Sequence, residues 1–162
     1  MNCYLEIFIV SFDKNYDIRY SKIVIDITSD IRNPDDIVNE IITTWSQVKK
    51  CFECDKYISH STSWRYEEDG SIYLTYIVFS DKINFAGVLS NTLQIQGIEI
   101  PQPTSAKKPK PKEISEKHIV SHGIRHIAYL VKHPKCELYR NSLDNETIVL
   151  LKKIEVTLAG KL

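Results

Sequence analysis

The chain of 162 residues is 43% apolar and 26% charged, the composition of about one globular domain and not of a disordered segment. Lysine plus arginine equals aspartate plus glutamate at 21 each, so no net field steers the molecule to nucleic acid or to an acidic membrane surface. No stretch approaches the ~20 apolar residues of a membrane span, the N-terminus lacks the basic region of a signal peptide, and four cysteines without an export signal read as reduced thiols; a cytoplasmic location is the expectation.

Residues 3–11 (CYLEIFIVS) and 19–27 (RYSKIVIDI) are rich in β-branched and aromatic side chains, and Ile23, Ile25 and Ile27 alternate with Val24 and Asp26. That period of two predicts paired strands with the polar DKNYDI between them as the turn. In IRNPDDIVNEIITTWSQVKK, Asn33 suits the cap, Pro34 the first helical position, and Asp35 and Asp36 the positive end of the dipole. Ile37, Ile41, Trp45 and Val48 recur at helical spacing, which predicts a helix over 34–50 with one face on a sheet. A second hairpin follows, KYISHSTSWRY and SIYLTYIVFS around EEDG. Asp69-Gly70 there signals a type I′ turn that would oppose Tyr66 to Tyr73 and Trp64 to Thr75. Residues 82–91 carry no clear pattern, and TLQIQGIEI (92–100) predicts a fifth strand.

Residues 101–112, PQPTSAKKPKPK, hold four prolines and four lysines, and proline's missing donor makes them a linker. Beyond it, 116–132 and 143–159 are periodic at 3.6 residues, with Ser115 and Ser142 as candidate caps and Gly160 as a stop. The fold expected is therefore α+β: an antiparallel four- to five-stranded sheet with one packed helix (1–100), the linker (101–112), and a C-terminal helical hairpin (113–162).

Two constellations could carry chemistry. His118, His122, His126 and His133, with Tyr129 among them, fall within an arc of about 80° on one helix. Imidazoles four residues apart can share a metal, but His122-Gly-Ile-Arg-His126 lacks the glutamate of HExxH, so a polar stripe at the border of the helix is the plainer expectation. Neighbouring histidines would titrate around pH 6–7 and repel when charged, a route to pH-sensitive contacts. The second constellation is Cys51, Cys54, His133 and Cys136, a Cys₃His set of the kind that holds structural zinc. The two pairs are separated by half the chain, and a chain of this length folds without a metal, so no cofactor is expected and zinc stands as the alternative.

GxSxG, GxxxxGK[ST] and GxGxxG are all missing, and the five glycines do not cluster. The linker lysines lack interleaved aromatics, so nucleic acid is not the expected partner. The reading is a non-enzymatic interaction, assembly or regulatory module, with a metal-dependent or histidine-using enzyme as the alternative. The stripe Leu143, Thr147, Leu150, Leu151, Ile154 and Leu158 suggests a protein partner or a homodimer built on the last helix.

Overall fold

The computed structural model describes residues 1–53, 55–94 and 114–154. The linker, the second half of the expected fifth strand, Cys54, Leu158 and Gly160 lie outside the described residues.

Strands β1 (Cys3–Phe12) and β2 (Ile18–Asp26) form the first hairpin, with Tyr4 opposite Asp26 and Phe12 opposite Ile18. Its turn is pinned by Asp13, whose Oδ1 accepts from the Asn15 and Asp17 N–H groups, and Tyr16 takes the left-handed position at φ 64°. Helix α1 (Pro34–Thr44) starts as expected, with the Asn33 side chain accepting from Asp35 N–H. It stops earlier than the periodicity suggests. The Thr43 and Thr44 hydroxyls bond the Asn39 and Glu40 carbonyls, Trp45 turns extended at ψ 112°, and a separate short α2 (Ser46–Lys49) follows.

Strands β3 (Ile58–Tyr66) and β4 (Ile72–Phe79) form the second hairpin, but one residue out of the expected register: Tyr66 faces Ile72 and Trp64 faces Leu74. A type I′ turn needs positive φ at both central residues, and only Gly70 (φ 81°) supplies it. Gly70 N–H instead closes on the Glu67 carbonyl and Glu67 N–H on Ser71, which makes a longer loop ending in a left-handed glycine. Strand β5 (Asn91–Leu93) pairs with β2.

The sheet order is β3-β4-β1-β2-β5, and β1 runs parallel to β4, so the sheet is mixed rather than antiparallel. The reason is burial. The β3–β4 hairpin docks through β4, whose IYLTYIVF is apolar on both faces, and β4 must then lie in the centre beside β1. Helix α1 covers one face, over Leu5, Ile7, Ile9, Tyr76 and Val78. Among the described residues the C-terminal helices α3 (Glu116–Lys132), α4 (Glu137–Asn141) and α5 (Asn145–Lys153) number three instead of two, and α3 and α5 cover the opposite face. Val120, Ile124, Ile127, Ala128 and Val131 meet Phe8, Val10, Ile77 and Phe79 there. Gly123 allows the close approach: a Cβ at that position would lie 2.8 Å from Ile77 Cδ1. Asp144, and not Ser142, caps α5, and Leu151 and Ile154 of the last apolar stripe are buried in this chain's own core. No described helix is long and apolar enough to cross a membrane.

Candidate functional site

The histidine stripe divides into three. His118 closes a capping box at the start of α3: Ser115 Oγ accepts from its N–H (3.4 Å), and its Nδ1 accepts from Ser115 N–H (3.2 Å). Tyr129 and His133 meet ring to ring at 5.6 Å at the other end, where the His133 N–H bonds the Tyr129 carbonyl as the C-cap. His122 and His126 come together with each other and with a third imidazole.

Their partner comes from β3. His126 Nδ1 lies 3.1 Å from His60 Nε2, and His126 Nε2 lies 3.1 Å from His122 Nε2. The Thr62 backbone bears on the His122 ring and favours its charged form. Thr62 sits in the β-bulge between Ser61 and Ser63, where the ladder to β4 slips by one residue. A bulge turns a backbone group out of the ladder. The result is a line of three rings that ties β3, beside its bulge, to α3. All three are half-buried, and burial lowers each below the ordinary histidine value. For His126, burial together with the neighbouring His122, His60 and Arg125 brings the value down to about 4. Titration around pH 6–7 thus gives way to a lower range for these three, because a half-buried imidazolium loses water.

A groove of ≈ 200 Å³ runs beside the line, walled by Ser63, Trp64 and Arg65 of β3 and by Ile114, His118, Ile119 and His122. Below its margin lies a carboxylate that sequence reasoning passed over. Glu6 on β1 is fully buried, in phase with Phe8 and Val10 on the α3 face. Its oxygens take two bonds from Arg65 (2.6 and 3.2 Å), one from Lys22 (2.9 Å) and one from the Thr75 hydroxyl (3.2 Å). Burial alone would raise its pKa; the bonds from Arg65 and Lys22 outweigh that and hold it below the usual carboxylate value. Lys22 reaches on to Glu116 at the start of α3, and Arg65 reaches Glu67 while lying 4.6 Å over the Tyr73 ring. The signal was available: a lone Glu in phase with the apolar positions of CYLEIFIV marks a buried acid in need of cations.

The described members of the candidate zinc set lie apart. Cys51 is buried beyond α2, its Sγ donating to the Gln47 carbonyl, beside Val48 and Phe52 on the α1 side of the sheet. His133 and Cys136 lie at the end of α3 on the other side, with Sγ 3.9 Å from His133 Nδ1. Among the described residues no three His, Cys, Asp or Glu side chains converge as metal ligands. Within the histidine line, His122 and His126 turn Nε2 toward one another, but His60 approaches the far nitrogen of His126, so the three do not share a centre.

No protein-family model matches this chain, and no curated protein matches it.

Proposed function

We propose that the protein is a non-enzymatic interaction module that takes an extended segment of a partner polypeptide onto the outer edge of β3. The observation that carries this reading is that edge. β3 is the last strand in the order, and its nine residues, ISHSTSWRY, contain neither the lysine nor the proline that commonly protects an edge from pairing. Trp64 is 63% exposed and Tyr66 49% exposed, their rings in an edge-to-face contact at 5.4 Å. Strand addition draws its affinity from main-chain bonds and its selectivity from pockets for alternate side chains. The groove between residues 63–65 and Ile119 is such a pocket, and it suits an aliphatic side chain.

The alternative, a histidine-using enzyme, draws on the three-ring line. Four of its six ring nitrogens face one another in its two contacts: both of His126, His60 Nε2 and His122 Nε2. The middle ring keeps no nitrogen for a substrate, which favours a positioning role for the rings over a catalytic one.

A displayed library of random short peptides, selected on the whole protein, tests the reading. Selected peptides are expected to perturb the backbone amides of Ile58–Tyr66 in NMR spectra and to bind Trp64→Ala at least about tenfold more weakly. Perturbations confined to other strands, or equal affinity for Trp64→Ala, would sink it.

A further inference from the structure

The line from His60 to His122 has a countable supply of hydrogens. Its ring-to-ring contacts number two, His60 Nε2 to His126 Nδ1 and His126 Nε2 to His122 Nε2. Each contact holds one hydrogen, and three neutral imidazoles carry one N–H each. Two hydrogens therefore fill the contacts, and the third lies on an outer nitrogen, Nδ1 of His60 or of His122.

A fourth hydrogen can still enter. It fills the other outer nitrogen, and both ring-to-ring contacts survive. A fifth cannot be placed: with both end rings charged, His126 would have to accept at both nitrogens, and a neutral imidazole has one lone pair to give. Two N–H groups then face each other at 3.1 Å.

From this count we infer that the His60–His126–His122 line is a proton latch, which holds the bulge of β3 against α3 through the first added proton and opens on the second. The inference rests on the reading of β3 as a docking edge for its consequence: the latch fixes the wall of the groove, so opening it would change what the edge accepts. The groups that face the line agree with a late opening. Arg125 on α3 bears on His122 and His126 and disfavours charge there; Asp35 on α1 bears on His60 and favours it; from β4 the residue opposite His60 is the apolar Ile77. His118 lies one turn before His122 on the groove margin. Charge is thus drawn to the His60 end, where the first proton does no harm, and resisted at the middle ring.

Ring-nitrogen NMR of the whole chain at about pH 7 tests the count directly. The expected pattern is one N–H in each ring-to-ring contact, so that His60 Nε2 and His126 Nδ1 never carry hydrogen together, nor do His126 Nε2 and His122 Nε2. In the same samples, amide protection of Ile58–Tyr66 relative to β1 should fall on acidification more steeply than about tenfold per pH unit, the limit for one proton. In His126→Phe, which fills the space of the middle ring without its nitrogens, the step should flatten to that limit or below it. A different tautomer pattern, a single-proton fall in the wild type, or parallel loss of β3 and β1 would each overturn the latch. Peptide selection on the same protein reads the docking edge separately: a latch with the expected tautomers and step but no β3 ligand would sink the docking reading alone.

Discussion

Replacing Glu6 by glutamine removes one negative charge and keeps the shape. The acid is fully buried and answers two cations whose side chains are 18% and 29% exposed, Arg65 and Lys22. Removing one partner of a fully buried pair costs about 3–5 kcal/mol, because the remaining charge is left without compensation. Here Arg65 keeps Glu67 and Lys22 keeps Glu116, and both cations reach water, so the loss should be smaller, about 2–3 kcal/mol for Glu6→Gln. With a urea slope of about 2 kcal/mol per molar, the unfolding midpoint should drop by about 1–1.5 M at unchanged slope. Replacing Glu6 by leucine and Arg65 by methionine together removes both the charge and its main partner, and should return stability to within about 1 kcal/mol of the wild type. The pH dependence carries a sign as well. The pKa of Glu6 is lowered on folding from 4.5, so the unfolded chain binds the proton first. The contribution of the network is complete above 4.5 and drains as pH falls through the lower folded value, and the gap between wild type and Glu6→Gln should close over that window. Loss of under about 0.5 kcal/mol for Glu6→Gln at neutral pH, or a double variant no better than the single one, would refute the claim that cation pairing sustains this buried acid.

Gly123→Leu should destabilise by at least about 2 kcal/mol in the same urea assay, since its side chain must displace Ile77, whereas Gly123→Ala gains helix propensity against the crowding and should stay within about 1 kcal/mol; an unaffected leucine variant would show that α3 does not lie so close to β4. The lowered values of His60, His122 and His126 mean that the unfolded chain binds their protons first as pH falls below 6.5, so stability should decline from there toward the folded value of about 4 for His126. Discounted for half exposure, His126 alone should account for about 1–2 kcal/mol, read as the difference between wild type and His126→Phe at about pH 7 and about pH 4.5; an identical loss in both proteins would contradict it. Cys51 and the His133–Cys136 pair lie on opposite sides of the sheet, so protein purified without chelator should carry less than about a tenth of an equivalent of zinc through them. Stoichiometric zinc, lost in both Cys51→Ser and Cys136→Ser, would overturn that placement.

Local pattern alone determined the pieces of this protein. Alternation in CYLEIFIVS and RYSKIVIDI, the Asn33-Pro34-Asp35 start of α1 and the Ser115 cap of α3 are set by contacts within a few residues, and each appears where the sequence places it. A five-residue scale also suffices for helical spacing, which is why His122 and His126 were legible as neighbours. The tertiary structure decided the rest. The parallel pairing of β1 with β4 depends on which strand of the second hairpin buries both faces, a choice made between segments some 69 positions apart in register. His60 meets His126 across 66 positions, and nothing in HSTSWRY marks it as different from its serine neighbours until β3 is placed at the edge and α3 on that face. The bulge at Thr62 follows from the same placement, since the loop at Gly70 sets the register at one end of the hairpin and the core sets it at the other. Local propensities act over a turn or two of chain, while the order of strands and the meeting of buried polar groups are settled only when competing ways of covering the sheet are compared in the folded molecule.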